Sequence, residues 1–162
     1  KKLAGQICVS IRQTCAELIC DVQHVGSTSV PGLPAKPILD IAVAIPNPDV
    51  MPELVNKMTE TGHRYRGDPR ETGGHLFVKE SEPEVRVAHI HVVPIDGMRW
   101  RGYLKFRDIL RESYRVRTAY AKLKRQLREK YPDNREAYTD SKKSFIQSTL
   151  NGENFMNQHT KQ

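Results

Sequence analysis

The sequence predicts an α+β domain: a small sheet flanked by helices, followed by a C-terminal helical segment. Three observations carry this. Leu3, Ile7, Ile11, Cys15 and Leu18 recur at helical spacing, so residues 2–19 read as an amphipathic helix laid on a sheet. Short β-rich runs bounded by turn residues occupy much of the stretch from 21 to 93. From Trp100 to Leu150 the pattern is helical throughout. The expected organisation is one domain over 1–150, with a polar, frayed tail over 151–162. The helices are expected on one side of the sheet.

Each element has its own signal. Asp21 to Val25 read as the first strand. Residues 38–45 (Ile-Leu-Asp-Ile-Ala-Val-Ala-Ile) are nearly all apolar, as a strand buried on both faces requires. Pro46-Asn47-Pro48-Asp49 ends that strand and starts a helix over about 50–61, with Leu54, Val55 and Met58 inward. His63 to Arg66 suit a short strand. Residues 67–74 are a polar loop of the kind that serves as a lid. His75–Lys79 and Glu84–Val93 read as a hairpin joined by residues 80–83. Helices are then expected over 100–112, 114–131 and 135–150, with Pro132-Asp133-Asn134 as a break and cap.

The chain has 162 residues, enough for a usable core, with 38% hydrophobic and 28% charged residues. No apolar run approaches a membrane span. Lys1 to Gly5 lead into an amphipathic pattern, not a signal-peptide core, and the natural N-terminus is expected to lie upstream of Lys1. Cys8, Cys15 and Cys20 form no C-x-x-C pair, so they read as small hydrophobes in a reducing cytoplasm. The net charge of +7 favours anionic ligands: nucleotides, phosphorylated metabolites or nucleic acid. Nucleic acid ranks last, because neither interleaved aromatics nor a known motif accompanies the charge. A basic helical surface is also often only a solvated face.

The densest chemistry lies in His24-Val25-Gly26-Ser27-Thr28-Ser29-Val30-Pro31-Gly32-Leu33-Pro34-Ala35-Lys36-Pro37-Ile38-Leu39-Asp40-Ile41. A strand ends in Gly26-Ser27, and a proline-stiffened loop follows with Lys36. The next strand then opens on Asp40. Amides and hydroxyls of Gly26, Ser27 and Thr28 opposite a carboxylate suit a metal-bound phosphate. A plain strand-ending turn is the structural alternative. Asp40 interrupts an apolar run and needs a partner if buried: a metal, a lysine or backbone amides. His89 and His91 are two apart on a strand, so both point to one face. With Asp40 they suggest a two-histidine, one-carboxylate site, which favours a transition metal over magnesium. His91 as general base and a pair of hydrogen-bonded strand histidines are the other readings. His24 and His75 are weaker candidates. Arg107 and Arg111, one helical turn apart, make a two-pronged anion site or a salt-bridge face. Lys124 and Lys142 are further phosphate candidates. Trp100 and Tyr103 are read as seals between helix and sheet.

The segment 24–41 resembles the GrpB family, within the nucleotidyltransferase-fold superfamily. So do His89-Ile90-His91-Val92-Val93, Leu104-Lys105-Phe106-Arg107-Asp108-Ile109-Leu110-Arg111, and the Tyr120, Leu123-Lys124 and Tyr138, Lys142, Phe145-Ile146 spacings. The resemblance covers residues from about 20 to 150. Members usually carry a further N-terminal segment. The resemblance implies a nucleotidyltransferase-like mixed sheet and a cleft closed by the C-terminal helices. It implies transfer of a nucleotidyl group from a nucleoside triphosphate to an acceptor, assisted by a divalent metal ion, magnesium or manganese. Gly26, Ser27 and Asp40 fall on the superfamily's pattern. Its second acid, one residue beyond the first, does not: Ala42 stands there. His91 is the implied substitute. The rival reading is a non-catalytic module of the same fold that binds a nucleotide or phosphometabolite.

Overall fold

The computed structural model describes residues 2–68 and 73–152. The chain divides into two compact units, one ending at Arg107 and the next starting at Asp108, within the span expected as one domain. The first holds a five-stranded mixed sheet in the order β1-β2-β5-β4-β3. The strands are β1 Asp21–Val25, β2 Leu39–Ile45, β3 His63–Tyr65, β4 His75–Glu82 and β5 Val85–Pro94. The β2–β5 pair is parallel and the other three pairs are antiparallel. Helices α1 (Lys2–Cys15) and α2 (Met51–Glu60) precede β1 and β3, and α3 (Met98–Glu112) follows β5.

Both sheet faces are covered, which corrects the expectation of helices on one side. Ile7, Ile11 and Cys15 of α1 and Leu54 and Met58 of α2 pack on Val22, Ile41, Val43, Ile90 and Val92. The opposite face carries a smaller core of Val25, Ala42, Ala44, Val93 and Trp100, with Tyr103 and Leu104 packed against it. Trp100 and Tyr103 therefore seal helix against sheet as expected. The near-continuous apolar run of β2 follows directly from having cores on both sides. Cys8 and Cys15 are buried, whereas Cys20 is exposed.

Two boundaries in this unit move. The first helix stops at Cys15 and turns, with Leu18 N–H bonded to the Cys15 carbonyl at 2.9 Å. That turn still buries Leu18, which is why the periodic pattern ran on to it. The hairpin turn is Pro83-Glu84, tighter than expected, because β4 continues to Glu82 and pairs with Val85. Proline fits the first central position of such a turn, and Glu84 takes a φ of 66° at the second. Residues 69–72 of the expected lid loop and 153–162 of the expected tail lie outside the described residues.

His63 opens the edge strand and is only 2% exposed. Its Nδ1 lies 3.1 Å from Thr61 Oγ1 and 3.2 Å from the Met58 carbonyl. Burial and then the Lys79 charge depress its pKa to about 4, against the opposing Met58 contact. The unfolded chain then binds a proton more readily than the folded one. Stability from neutral His63 is complete above the ordinary histidine pKa and is lost as pH falls toward 4. A drop from pH 7 to 4.5 should remove about 2–3 kcal/mol through this residue. Denaturant titrations of wild type and His63→Gln at both pH values test this. Equal acid losses in the two proteins would remove His63 as the cause.

The second unit contains α4 (Tyr114–Lys130), α5 (Arg135–Asp140) and α6 (Lys143–Leu150). Ser113 and Asn134 cap α4 and α5 by accepting from Val116 N–H and Ala137 N–H. The helix expected over 135–150 is two helices. The chain tightens at Ser141-Lys142, where Lys142 N–H reaches back three residues to the Thr139 carbonyl.

Candidate functional site

The site is set by the register of the parallel pair. Asp40 lies opposite His89, and Ala42 lies opposite His91. The period-2 alternation of strands puts all four on the face that carries Trp100. His91 Nε2 is 3.3 Å from Asp40 Oδ1, and His89 Nδ1 is 3.6 Å from the same oxygen. The three side chains singled out from the sequence do come together. The Tyr103 ring lies 5.5 Å from that of His91. The side chain of Asp40 remains 36% exposed, against 29% for His91 and 12% for His89.

Partial burial pushes the Asp40 pKa up. Hydrogen bonds from His89 and His91, and their charge, outweigh that and hold the carboxyl well below the usual range. Asp40 is therefore ionised wherever a histidine changes charge. An ionised carboxylate only accepts, so Nε2 of His91 is the protonated nitrogen and Nδ1 is left as the acceptor.

Gly26 ends β1 beside this carboxylate. Its φ of 68° and ψ of −170° belong to a region that is essentially glycine's alone. A Cβ there would stand 2.5 Å from Asp40 Oδ2. Glycine at this position thus makes room for Asp40 itself, a reason beyond the expected approach of a phosphate. Ser27–Ser29 form one 3₁₀ turn. Thr28 Oγ1 meets His24 Nε2 at 2.9 Å, and Ser29 Oγ donates to the Gly26 carbonyl at 2.7 Å. Two of the three hydroxyls in this turn therefore hold the turn's own shape.

The remaining candidates separate. Arg107 donates to Gln23 Oε1 at 3.0 Å and to the His24 carbonyl at 3.3 Å, which ties α3 to β1. Lys36 is exposed in the loop before β2, with no hydrogen bond or ion pair among the described residues. Arg111 belongs to the second unit, where it lies 3.7 Å from Asp108. His24 and His75 pair with Ile41 and Val92, so both lie on the face opposite Asp40. His75 Nδ1 there meets the Tyr65 hydroxyl at 2.7 Å. Gln23 was missed by sequence reasoning. Its signal was available, since it stands two residues before Val25 on the Asp40 face.

The donor set does not fit the magnesium ion that the resemblance implies. Magnesium takes oxygen ligands, and here two imidazoles and a buried alanine surround one carboxylate. Among the described residues, no group of three or more His, Cys, Asp or Glu side chains is arranged to hold a metal ion. No described helix is long and apolar enough to cross a membrane.

Comparison with known proteins places this geometry. Residues 1–151 match the family described as GrpB protein. A glutamate-rich protein GrpB of Alkalihalophilus pseudofirmus is 35% identical over 138 residues, covering 83% of this chain and 79% of that one. A UPF0157 protein of Pseudomonas aeruginosa is 39% identical over 132 residues, 80% of this chain but 53% of that one. The chain thus spans about half the length of the Pseudomonas relative. The crystal structure of a conserved GrpB protein from Enterococcus faecalis superposes with a TM-score of 0.81 at 30% identity, covering 93% and 90% of the two chains. The Cid1 poly(U) polymerase superposes at 0.50 with 13% identity, over 86% of this chain and 46% of that one. That likeness shows the fold alone, which is nucleotidyltransferase-like. The chain belongs to the GrpB family.

Proposed function

We propose that the protein transfers a nucleotidyl group from a nucleoside triphosphate to an acceptor hydroxyl or phosphate. The observation that carries this is the Asp40–His91 pair, 3.3 Å apart beside the Gly26 turn. Asp40 fixes the Nε2–H tautomer of His91 and steadies the imidazolium. Nδ1 takes the acceptor's proton as its oxygen attacks the α-phosphorus, and pyrophosphate leaves. This is the role a carboxylate plays toward histidine in acyl-transfer enzymes, moved to a phosphoryl centre. In this reading Ser27, Thr28 and Lys36 meet the phosphates, Arg107 supplies countercharge, and the cytoplasm supplies the triphosphate with its magnesium as substrate. Use of Asp40, His89 and His91 as donors to a divalent ion would break the Asp40–His91 hydrogen bond, so it is exclusive of this base role.

Calorimetric titration with ATP, GTP, CTP and UTP, with and without Mg²⁺, Mn²⁺ or Zn²⁺, tests binding. Release of pyrophosphate from the bound nucleotide tests transfer. Asp40→Asn should lower transfer by about 10²- to 10⁴-fold, the range for losing an oriented general base. If no triphosphate binds with any of these ions, the proposal fails. Ala42 favours a second reading, a phosphate-binding module without chemistry. Binding without pyrophosphate release from any acceptor mixture would establish that reading.

A further inference from the structure

The sheet face that carries Asp40 has a cation at its other end. Gly74 leads into β4 and is buried. A Cβ added there would lie 3.1 Å from Arg99 Cζ and 3.6 Å from Val93 Cγ1. The Arg99 guanidinium therefore fills the space that a side chain at 74 would take. Arg99 stands in the first turn of α3, one turn before Tyr103, whose ring packs 5.5 Å from that of His91. It is half-buried, and among the described residues it makes no hydrogen bond or ion pair.

The strand register orders these groups along the face. Val25 pairs with Asp40, so the Gly26 turn stands at the Asp40 end. Asp40 lies opposite His89, Ala42 opposite His91 and Ala44 opposite Val93. His91 thus stands between the Gly26 turn and Arg99. Val93, which Arg99 and Gly74 flank, is two residues, roughly 7 Å, beyond His91 on the same face. His91 turns Nε2 toward Asp40, so its accepting Nδ1 is turned away from that carboxylate. A guanidinium offers paired N–H donors that match a phosphate or carboxylate as a fork. Seating it on a glycine fixes its position before any ligand arrives, which lowers the cost of binding.

We propose that Arg99 anchors the acceptor. The acceptor carries a phosphate or carboxylate a few bonds from its attacking oxygen, and Arg99 grips that group while the oxygen faces His91. This rests on the nucleotidyl-transfer reading above and adds the substrate class: the acceptor is itself an anion. Gly74 is the positioning residue, because any larger side chain pushes the guanidinium away.

The test follows the Arg99 Nε–H resonance of the whole protein by NMR as inorganic phosphate, or separately acetate, is added at constant ionic strength. A saturable shift is expected, and the anion that saturates it at the lower concentration identifies the anchored group. Magnesium ATP at saturation should leave that shift in place, because the triphosphate occupies the Gly26 end. With ATP present, Arg99→Met should bind the anion at least about tenfold more weakly by calorimetry, as loss of charged hydrogen bonds requires. Gly74→Ala keeps every charge and should weaken the anion to a similar degree while the protein stays folded by circular dichroism. No saturable shift with either anion, an unchanged affinity in Arg99→Met, or expulsion of the anion from Arg99 by ATP would overturn the proposal. These readouts need no turnover. Failure of ATP to bind at all sinks the triphosphate reading, and the acceptor role with it, while the Arg99 resonance still reports on the anion site.

Discussion

Gly26→Ala is expected to destabilise the protein by about 3 kcal/mol. Two effects combine. The backbone at φ 68° and ψ −170° strains any residue with a Cβ, by about 1–3 kcal/mol. The new methyl also points at Asp40, 2.5 Å from Oδ2 and 3.0 Å from Cβ. Asp40 is held by His89 and His91 and gives way only by leaving them, so the site should be lost with the stability. Gly32→Ala is the matched control. Its φ is 75°, but nothing lies within 4 Å of the added Cβ, so about 1 kcal/mol is expected. Chemical denaturation of both variants measures the difference. Combining Gly26→Ala with Asp40→Ala should recover part of the loss, as residues in contact do. Equal effects of the two glycine substitutions would show that Asp40 does not press on Gly26.

Ala42→Asp should have a comparable or greater effect and puts an acid where the nucleotidyltransferase pattern has one. Ala42 is fully buried against the Trp100 core. A carboxylate there loses water and stands two residues from ionised Asp40 on the same face. The two acids resist joint ionisation, so one takes up a proton or the strand loosens. The expected loss is about 3–5 kcal/mol without metal, read as a lowered Tm. Manganese at millimolar concentration should return part of it, because ion binding to the native state stabilises by mass action. Ala42→Asn, of similar shape without the charge, should show no manganese rescue. An Ala42→Asp protein with unchanged Tm in metal-free buffer would contradict the burial of this position.

Much of this was legible in the sequence because its signals were local or periodic. The apolar run 38–45 announced an interior strand, and the two-residue spacing of His89 and His91 put them on one face. That this face is also Asp40's depends on the β2–β5 register, which joins segments some fifty residues apart and leaves no local trace. His24 and His75 show the converse. Each is near the site in sequence pattern, yet each falls on the other face because strand alternation is strict. The break at Ser141-Lys142 was illegible because Tyr138 before it and Phe145 after it, two helical turns apart, keep helical phase across it.

The parallel pairing also fixes when the site comes into being. β4 and β5 are joined by two residues, and β1 and β2 by residues 26–38, so each antiparallel pair closes a shorter loop than the β2–β5 pair does. The β2–β5 contact has the long sequence separation, and its closure is the slow, entropically demanding event. Asp40 rides on one prefolded half and His91 on the other. Their meeting therefore reports completion of the topology, and a partly folded chain, however much local structure it has gained, carries two inert halves.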